Sequence, residues 1–115
     1  MSTIEDIILE NDRRGVSQLR GYLPDNYCEQ AARLILDHPG RALICSGFYI
    51  VGADAPETDG PPGAYYLGVA LEALGHSVVQ VTDLYSSYLY EGLVGGEGLV
   101  EFPIADTDAS ERFAR

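Results

Sequence analysis

The order of hydrophobic and polar residues predicts two helices at the start of the chain. In residues 4–8, isoleucines recur at the spacing of one helical face, and Thr3 stands in front of them as a capping residue. In residues 28–35, hydrophobic residues recur at helical spacing after Asp25, which can cap the helix start. Pro39 cannot continue a helix, so the second helix is expected to end before it.

Two short hydrophobic runs predict strands on either side of a third helix. Residues 41–47 and 78–82 are almost continuously apolar, a pattern typical of strands buried on both faces of a parallel sheet. Residues 63–74 have helical spacing, and Pro62 is the expected helix start because a missing N–H costs nothing there. The buried face of this helix is predicted to consist of Ala64, Leu67, Leu71 and Leu74. Strand, helix and strand form a βαβ unit.

The pattern weakens in the last third of the chain. Residues 84–91 predict a short tyrosine-rich helix, residues 92–98 a glycine-rich loop, and residues 99–103 a third strand. A last helix is predicted to begin at Asp108. The elements together predict an α/β fold, a three-layer Rossmann-like βαβ core with parallel strands, preceded by two N-terminal helices. Because the last predicted helix is cut off at Arg115, we expect residues 1–115 to be a single, incomplete domain.

The charge balance limits the possible partners. The chain has 18 acidic and 7 basic residues, a formal net charge of −11, and all seven basic residues are arginine. Without lysine, neither a Schiff base nor a phosphate-binding P-loop lysine is available. The negative charge makes binding to nucleic acid or to an anionic membrane unfavourable. Such a surface either binds a partner or is adapted to high salt, and we favour adaptation to salt.

The cysteine count and the hydropathy of the chain indicate its cellular compartment. Two cysteines exclude a disulfide framework and a four-cysteine zinc site. No apolar run is long enough to cross a bilayer, and the first residues lack the features of a signal peptide. We therefore expect a cytoplasmic protein.

The loop between the first strand and the third helix, residues 47–63, is the most informative segment. In open α/β sheets, ligands collect beyond the carboxyl ends of the strands. The backbone N–H groups of Gly63 and Ala64 would lie at the positive end of the helix, with little side chain to keep an anion away. The spacing of the glycines does not fit the dinucleotide-binding fingerprint.

Acidic residues stand directly before this helix and at the end of the second strand. Glu57, Thr58 and Asp59 precede the helix, and Asp83 ends the strand, where a carboxylate can bind a substrate amine or a ribose. Thr58 or Asp59 could instead cap the helix, and Asp83 could cap the next one. A divalent cation held by Glu57, Asp59 and Asp83 is the weaker interpretation, and no metal or cofactor is expected.

Four segments carry a resemblance to a known family. They are Ile-Glu-Asp-Ile-Ile-Leu-Glu-Asn-Asp-Arg-Arg-Gly (residues 4–15), Gly-Phe-Tyr (47–49), Pro-Glu-Thr-Asp-Gly-Pro-Pro-Gly-Ala (56–64) and Leu-Gly-His (74–76), which leads into the second strand and Asp83. In these segments the chain resembles the D-glutamate cyclase C-terminal-type domain family, formerly a domain of unknown function. The resemblance covers nearly the whole chain and implies the N-terminal part of that domain only.

The resemblance implies a lyase that converts D-glutamate to 5-oxo-D-proline and water. The α-amine must be neutral to attack the side-chain carboxyl group, and the developing oxyanion must be stabilised. Glu57 or Asp59 would hold the ammonium group and accept its proton, and the Gly63 and Ala64 amides would bind a carboxylate or the oxyanion. The expected substrate-binding residues are Gly47, Thr58, Gly60, Gly63, Ala64 and Asp83.

Other functions stay open alongside this one. The chain could be a non-catalytic module that binds a small metabolite or a nucleotide. It could also be half of a split enzyme, which pairs with a second polypeptide that supplies a missing C-terminal half, or a homodimer.

The other chemically capable side chains have structural interpretations. His38 and His76 are expected to stabilise helix ends. Cys28 and Cys45 are expected in the core. The nearby tyrosines are expected to pack rather than form a lid: Tyr85, Tyr88 and Tyr90.

Overall fold

The computed structural model describes residues 2–115 and divides into two compact units. The first unit ends at Pro39, and the second is Gly40–Arg115. The first unit contains α1 (Ile4–Leu9), a 3₁₀ helix (Val16–Tyr22) and α2 (Tyr27–Leu36). Both predicted N-terminal helices are confirmed, whereas the 3₁₀ helix between them was not predicted.

Hydrogen bonds to carboxylates organise the start of each helix in the first unit. Thr3 Oγ1 accepts from the Asp6 N–H at 3.1 Å and the Thr3 N–H donates to Asp6 at 2.9 Å, a complete capping box. Helix α2 begins two residues beyond the expected cap, Asp25, and the buried Glu5 carboxylate accepts from its Cys28 N–H at 3.0 Å. Hydrogen bonds from the backbone N–H groups of Glu5 itself and of Cys28 lower the Glu5 pKa.

The second unit is an α/β layer built on a parallel sheet. Its elements are β1 (Arg41–Cys45), β2 (Tyr49–Ile50), β3 (Ala55–Pro56), α3 (Gly60–Ala73), β4 (Ser77–Thr82), β5 (Leu99–Glu101) and α4 (Thr107–Ala114). Two 3₁₀ turns lie between the last two strands, at Ser87–Tyr90 and Gly96–Gly98. The α/β class, the parallel strands and the preceding helices are confirmed.

The register of the sheet brings the carboxyl ends of its strands to one edge. The strand order is β1-β4-β5, and both pairings are parallel. Cys45 lies opposite Val81, and the Ser46 N–H continues the ladder by donating to the Val81 carbonyl at 2.9 Å. The Phe102 N–H donates to the Thr82 carbonyl at 2.7 Å. The residues that follow all three strands therefore meet at this edge.

Burial along β1 alternates, so the expectation of a strand buried on both faces is wrong. Arg41, Leu43 and Cys45 are exposed, while the residues between them are half-buried. Leu43 is 63% exposed. Helix α3 packs on the sheet, and the alternate side chains of β1 point away from the covered face. Cys45 is consequently an exposed thiol rather than a core residue.

Helix α3 begins at Gly60 rather than at Pro62, because both prolines fit its first turn. Its predicted buried face is also wrong in part. Leu67 and Leu74 are 47% and 60% exposed. The buried residues are instead Pro61, Ala64, Gly68 and Leu71.

The close approach of α3 to β4 at Gly68 explains the shift of the buried face. A Cβ atom on Gly68 would lie 2.6 Å from Gln80 Nε2 and 3.3 Å from Val78 Cγ1. The buried Gln80 side chain passes this point and donates from Nε2 to the Ala64 carbonyl at 3.1 Å. The helix therefore turns the face that contains Gly68 and Leu71, rather than Leu67 and Leu74, towards the central strand.

The long loop expected before α3 contains a hairpin. Strands β2 and β3 pair antiparallel, with Tyr49 opposite Pro56 and Ile50 opposite Ala55. The turn between them places Asp54 at φ 49°, in the left-handed region. None of the helices in residues 2–115 combines the length and hydropathy that a membrane crossing needs.

Candidate functional site

A pocket of about 410 Å³ lies at the edge where the three parallel strands end. It is lined by residues 45–47 after β1, residues 81–83 at the end of β4, and residues 102–104 after β5. We call it the edge pocket. Ligands of open α/β sheets bind at this kind of edge, because strands, loops and turns converge there.

Two predicted site residues, Gly47 and Asp83, meet in the edge pocket. Gly47 has φ 145°, and a Cβ atom there would lie 2.9 Å from Asp83 Oδ2 and 3.1 Å from Thr82 Oγ1. Asp83 Oδ1 accepts from the N–H groups of Tyr85 and Ser86 at 2.8 and 3.0 Å, which starts the following turn. The Asp83 carboxylate thus both caps a turn, as one interpretation expected, and places its second oxygen beside Gly47.

Hydroxyl groups of this region were missed by the sequence analysis. Ser46 lines the edge pocket, and its Oγ is hydrogen-bonded to the hydroxyl of the buried Tyr90. Thr82 is 4% exposed, and its Oγ1 has no hydrogen-bond partner within residues 2–115. Serine and threonine are common near strand ends, so no pattern in the sequence distinguishes these residues.

The hairpin holds Glu57 beside Phe48, the residue that follows Gly47. The Glu57 N–H donates to the Phe48 carbonyl at 2.7 Å, and the Glu57 side chain is half-buried. On the hairpin, Tyr49 stacks on Tyr85 with ring centroids 4.3 Å apart. Since Tyr85 lies in the Asp83 turn, this contact fastens the hairpin to the end of β4.

The remaining predicted residues of the loop lie at the start of α3. Asp59 occupies the N-cap position, but its side chain makes no capping hydrogen bond to the residues that the structure describes. The interpretation of Asp59 as a helix cap is therefore wrong. Thr58 lines a second pocket of about 340 Å³, together with Pro61 and Tyr90. The exposed Asp59 and Gly60 do not line either pocket.

The early start of α3 changes which amides are free. The first three residues of a helix lack intrahelical partners for their N–H groups, and the fourth N–H can donate to the N-cap carbonyl, as Ile7 does to Thr3 at 3.2 Å in α1. In α3 two of the first three residues are prolines, which leaves the Gly60 N–H, and the Gly63 N–H makes no such hydrogen bond to Asp59 within residues 2–115. Nothing lies within 4 Å of a Cβ atom built on either glycine. Ala64 is the fifth residue and is buried, and its carbonyl accepts the Gln80 hydrogen bond.

The structural interpretations of His38 and Cys28 find support in the first unit. His38 Nδ1 lies 2.7 Å from the Leu34 carbonyl at the end of α2, which confirms its role at a helix end. At His76 the backbone N–H donates to the Leu71 carbonyl at 3.0 Å, so the role of the side chain stays a prediction. Cys28 is half-buried, and burial raises the pKa of its thiol.

Of the three tyrosines expected to pack, only Tyr90 is fully buried. Tyr85 and Tyr88 are 42% and 53% exposed. Across residues 2–115, no group of three histidine, cysteine, aspartate or glutamate side chains is placed to hold a metal ion.

Comparison with known proteins gives one match. The family described as D-glutamate cyclase-like, C-terminal, matches residues 4–113. No curated protein and no solved structure matches the chain. The match includes helix α1, the hairpin with Glu57 and all three strand ends of the edge pocket. Since it spans nearly the whole sequence, this chain belongs to the D-glutamate cyclase-like, C-terminal, family.

Proposed function

We propose that this chain converts D-glutamate to 5-oxo-D-proline and water at the carboxyl edge of its sheet, between the edge pocket and the start of α3. The observation that carries the proposal is the pairing of Gly47 with Asp83 at the carboxyl edge of the sheet, in a chain of this family. Only glycine leaves room at this position for the Asp83 carboxylate, since a Cβ atom would lie 2.9 Å from Oδ2. An amine is the substrate group that this oxygen fits best.

The reaction requires acid–base help but no covalent nucleophile. The nitrogen of D-glutamate attacks the side-chain carboxyl carbon, forms the new C–N bond and gives up two protons. The departing carboxyl oxygen takes both protons and leaves as water. In this scheme Asp83 holds the ammonium group, and Glu57 or Asp59 moves the protons. Glu57 is half-buried, and the Asp59 side chain makes no capping hydrogen bond at the start of α3. Both carboxylates are therefore available for proton transfer.

The oxyanion that develops on the attacked carboxyl group needs hydrogen-bond donors. The N–H groups of Gly60 and Gly63 are free by their position in α3, and the helix dipole favours negative charge there. We assign them this role in place of the Gly63 and Ala64 pair, since Ala64 lies within the helical ladder. Thr58 lies next to them on the second pocket and would contact the substrate from the side.

Formation of 5-oxoproline from D- and L-glutamate tests the proposal. We expect product from the D-isomer, and a loss of about 10²–10⁴-fold in turnover in Glu57→Gln or Asp59→Asn, the usual worth of acid–base help. Glu97→Gln, on an exposed loop of the same unit, is the matched control and should leave turnover unchanged. Unchanged turnover in the Glu57→Gln, Asp59→Asn double variant would overturn the assignment. Binding of D-glutamate without product would favour a non-catalytic binding module.

We also propose that the chain pairs with a second copy of itself. The support is the exposed face of β1, where Leu43 is 63% exposed and Cys45 is solvent-accessible, in a parallel sheet that proteins ordinarily cover on both faces. Sedimentation equilibrium should find a dimer in the wild type and a monomer in Leu43→Glu. A wild-type monomer with cooperative unfolding would contradict the pairing.

A further inference from the structure

Two hydroxyl groups from distant parts of the second unit meet at the end of β1. Ser46 Oγ and the Tyr90 hydroxyl are hydrogen-bonded, although 44 residues separate them in the chain. Tyr90 is 1% exposed and closes the 3₁₀ turn Ser87–Tyr90. Ser46 is half-buried and lines the edge pocket. The pair therefore has one member inside the protein and one at the pocket surface.

The burial of Tyr90 decides the direction of this hydrogen bond. Each hydroxyl carries one hydrogen. If Ser46 donated, the Tyr90 hydrogen would be left buried without an acceptor, which is costly. With Tyr90 as the donor, both groups are satisfied, because the Ser46 hydrogen remains free at the surface of the pocket. Ser46 is thus held as a hydrogen-bond donor to whatever occupies the edge pocket.

The chemistry around Ser46 indicates what that occupant is. Asp83 Oδ2 offers a negative acceptor beside Gly47. Phe102 and Ile104 give the opposite side of the pocket an apolar wall. Thr82 lines the same pocket with a buried hydroxyl oxygen that has no partner in the part of the chain described. An anionic acceptor, hydroxyl donors and an apolar wall fit the ammonium, carboxylate and methylene groups of a small amino acid.

We propose that Ser46 contacts the substrate by donating a hydrogen bond to a carboxylate oxygen of the bound amino acid, and that Tyr90 is the positioning residue that orients Ser46. This assignment rests on the function proposed above, since it names two further residues of the same site. It requires no covalent step at Ser46. Tyr90 acts only through Ser46 and does not touch the substrate.

Ser46→Ala, Tyr90→Phe and the double variant test the assignment in the full chain. The probes are D-glutamate and 5-oxoproline, with Kd measured by calorimetry and kcat and KM by product formation. We expect Ser46→Ala to weaken both ligands about 10-fold or more, the range for a hydrogen bond to a charged group. Tyr90→Phe should also raise KM and Kd, with little change in kcat. The double variant should bind no more weakly than Ser46→Ala alone, and Ser46→Thr should restore binding.

Tyr88→Phe is the matched control, because Tyr88 lies in the same 3₁₀ turn but is 53% exposed. It should leave Kd and KM at the wild-type values. A purely structural role for the pair predicts that Tyr90→Phe lowers the melting temperature and leaves Kd and KM unchanged, and this result would overturn the proposal. So would additive losses in the double variant.

The two proposals fail in different ways. Product formation that is insensitive to Ser46→Ala would leave the D-glutamate cyclase activity standing and overturn the role of Ser46. Binding of D-glutamate that depends on Ser46, with no product from the wild type, would support Ser46 and overturn the activity. A wild type that binds neither D-glutamate nor 5-oxoproline would overturn both.

Discussion

The two units of the molecule differ in the sequence range of their main polar contacts. In the first unit, carboxylates accept hydrogen bonds mostly from backbone N–H groups a few residues away, as Asp12 does from Arg14 and Ser17 at 2.9 and 2.7 Å. In the second unit, the critical polar contacts cross the fold: Gln80 reaches Ala64 and Ser46 reaches Tyr90. The first kind of order is local in sequence, whereas the second exists only once the sheet has formed.

The same difference is visible in the ionisable groups. Hydrogen bonds from backbone N–H groups lower the pKa values of Glu5, Asp6 and Asp12, all in the first unit. Hydrogen bonds from Arg33 lower the pKa of Glu29 in the same unit. The first unit thus favours the ionised form of its carboxylates through hydrogen bonds, whereas the second unit buries the Gln80 amide and the hydroxyl groups of Thr82 and Ser86.

Overpacking at Gly68 should produce the largest change in stability, because it strikes the packing of the second unit. Gly68→Ala places a Cβ atom 2.6 Å from Gln80 Nε2, and we expect a loss of about 1–3 kcal/mol in chemical denaturation. Gly63→Ala in the same helix is the control, since nothing lies within 4 Å of its Cβ position. Equal stability of the two variants would show that α3 does not pack as closely on β4 as described.

Removal of the Glu5 carboxylate should weaken the first unit without affecting the second. Glu5→Ala takes away the acceptor of the Cys28 N–H at the start of α2. Hydrogen exchange should become faster in residues 27–31 and stay unchanged in β4. Glu10→Ala, an exposed glutamate at the end of α1, is the control and should leave α2 protected. Equal protection of α2 in both variants would contradict the cap.

Acid should destabilise the first unit before the second, because the carboxylates with lowered pKa values lie in the first unit. The pKa of Asp12 is lowered from 3.8 to about 2, so the folded state favours its ionised form. Its contribution is therefore present above about pH 4 and lost as pH falls through about 2. We expect the protection of the Arg14 and Ser17 amides, taken relative to their intrinsic exchange rates at each pH, to fall over this interval in the wild type and to depend less on pH in Asp12→Asn. If the strands of the sheet lost their exchange protection at a higher pH than these two amides, the proposed difference between the units would be wrong.

Salt should have the smallest effect, and it should act more strongly on the second unit than on the first. The second unit holds eleven of the 18 acidic residues and three of the 7 basic ones. Screening lengths fall from about 10 Å at 0.1 M salt to about 3 Å at 1 M, which weakens repulsion between surface carboxylates. We expect molar KCl to raise the melting temperature, with the larger gain in the second unit. A flat or falling melting temperature would remove the interpretation of a salt-adapted surface.

Features that depend on neighbours in sequence could be predicted. The Thr3 capping box, the end of α2 before His38 and the parallel strands β1, β4 and β5 all follow from patterns of a few residues. Helix α3 was predicted, but only Ala64 and Leu71 of its predicted buried face are buried. Hydrophobicity favoured Leu67 and could not show that a glycine would bring the helix closest to the sheet.

The site divides along the same line. Gly47 and Asp83 were expected, because residues after the strands of a parallel sheet converge. The β2–β3 hairpin was not, since two-residue strands leave no periodicity to detect. Ser46 and Tyr90 meet only through the register of the sheet and the turn after it. No pattern of neighbouring residues in the sequence predicts this contact.

The position of β4 between β1 and β5 sets an order of events during synthesis. A nascent chain that has just completed β1 carries a strand whose hydrogen-bonding partner, Ser77–Thr82, has not yet been translated. The first unit, with its short-range contacts, can fold in that interval, while the sheet must wait for closure of a long loop. Strand β1 therefore stays without its partner until β4 has been synthesised, and a pause in translation between the two strands would lengthen the time for which its hydrophobic residues are open to chaperones or to aggregation.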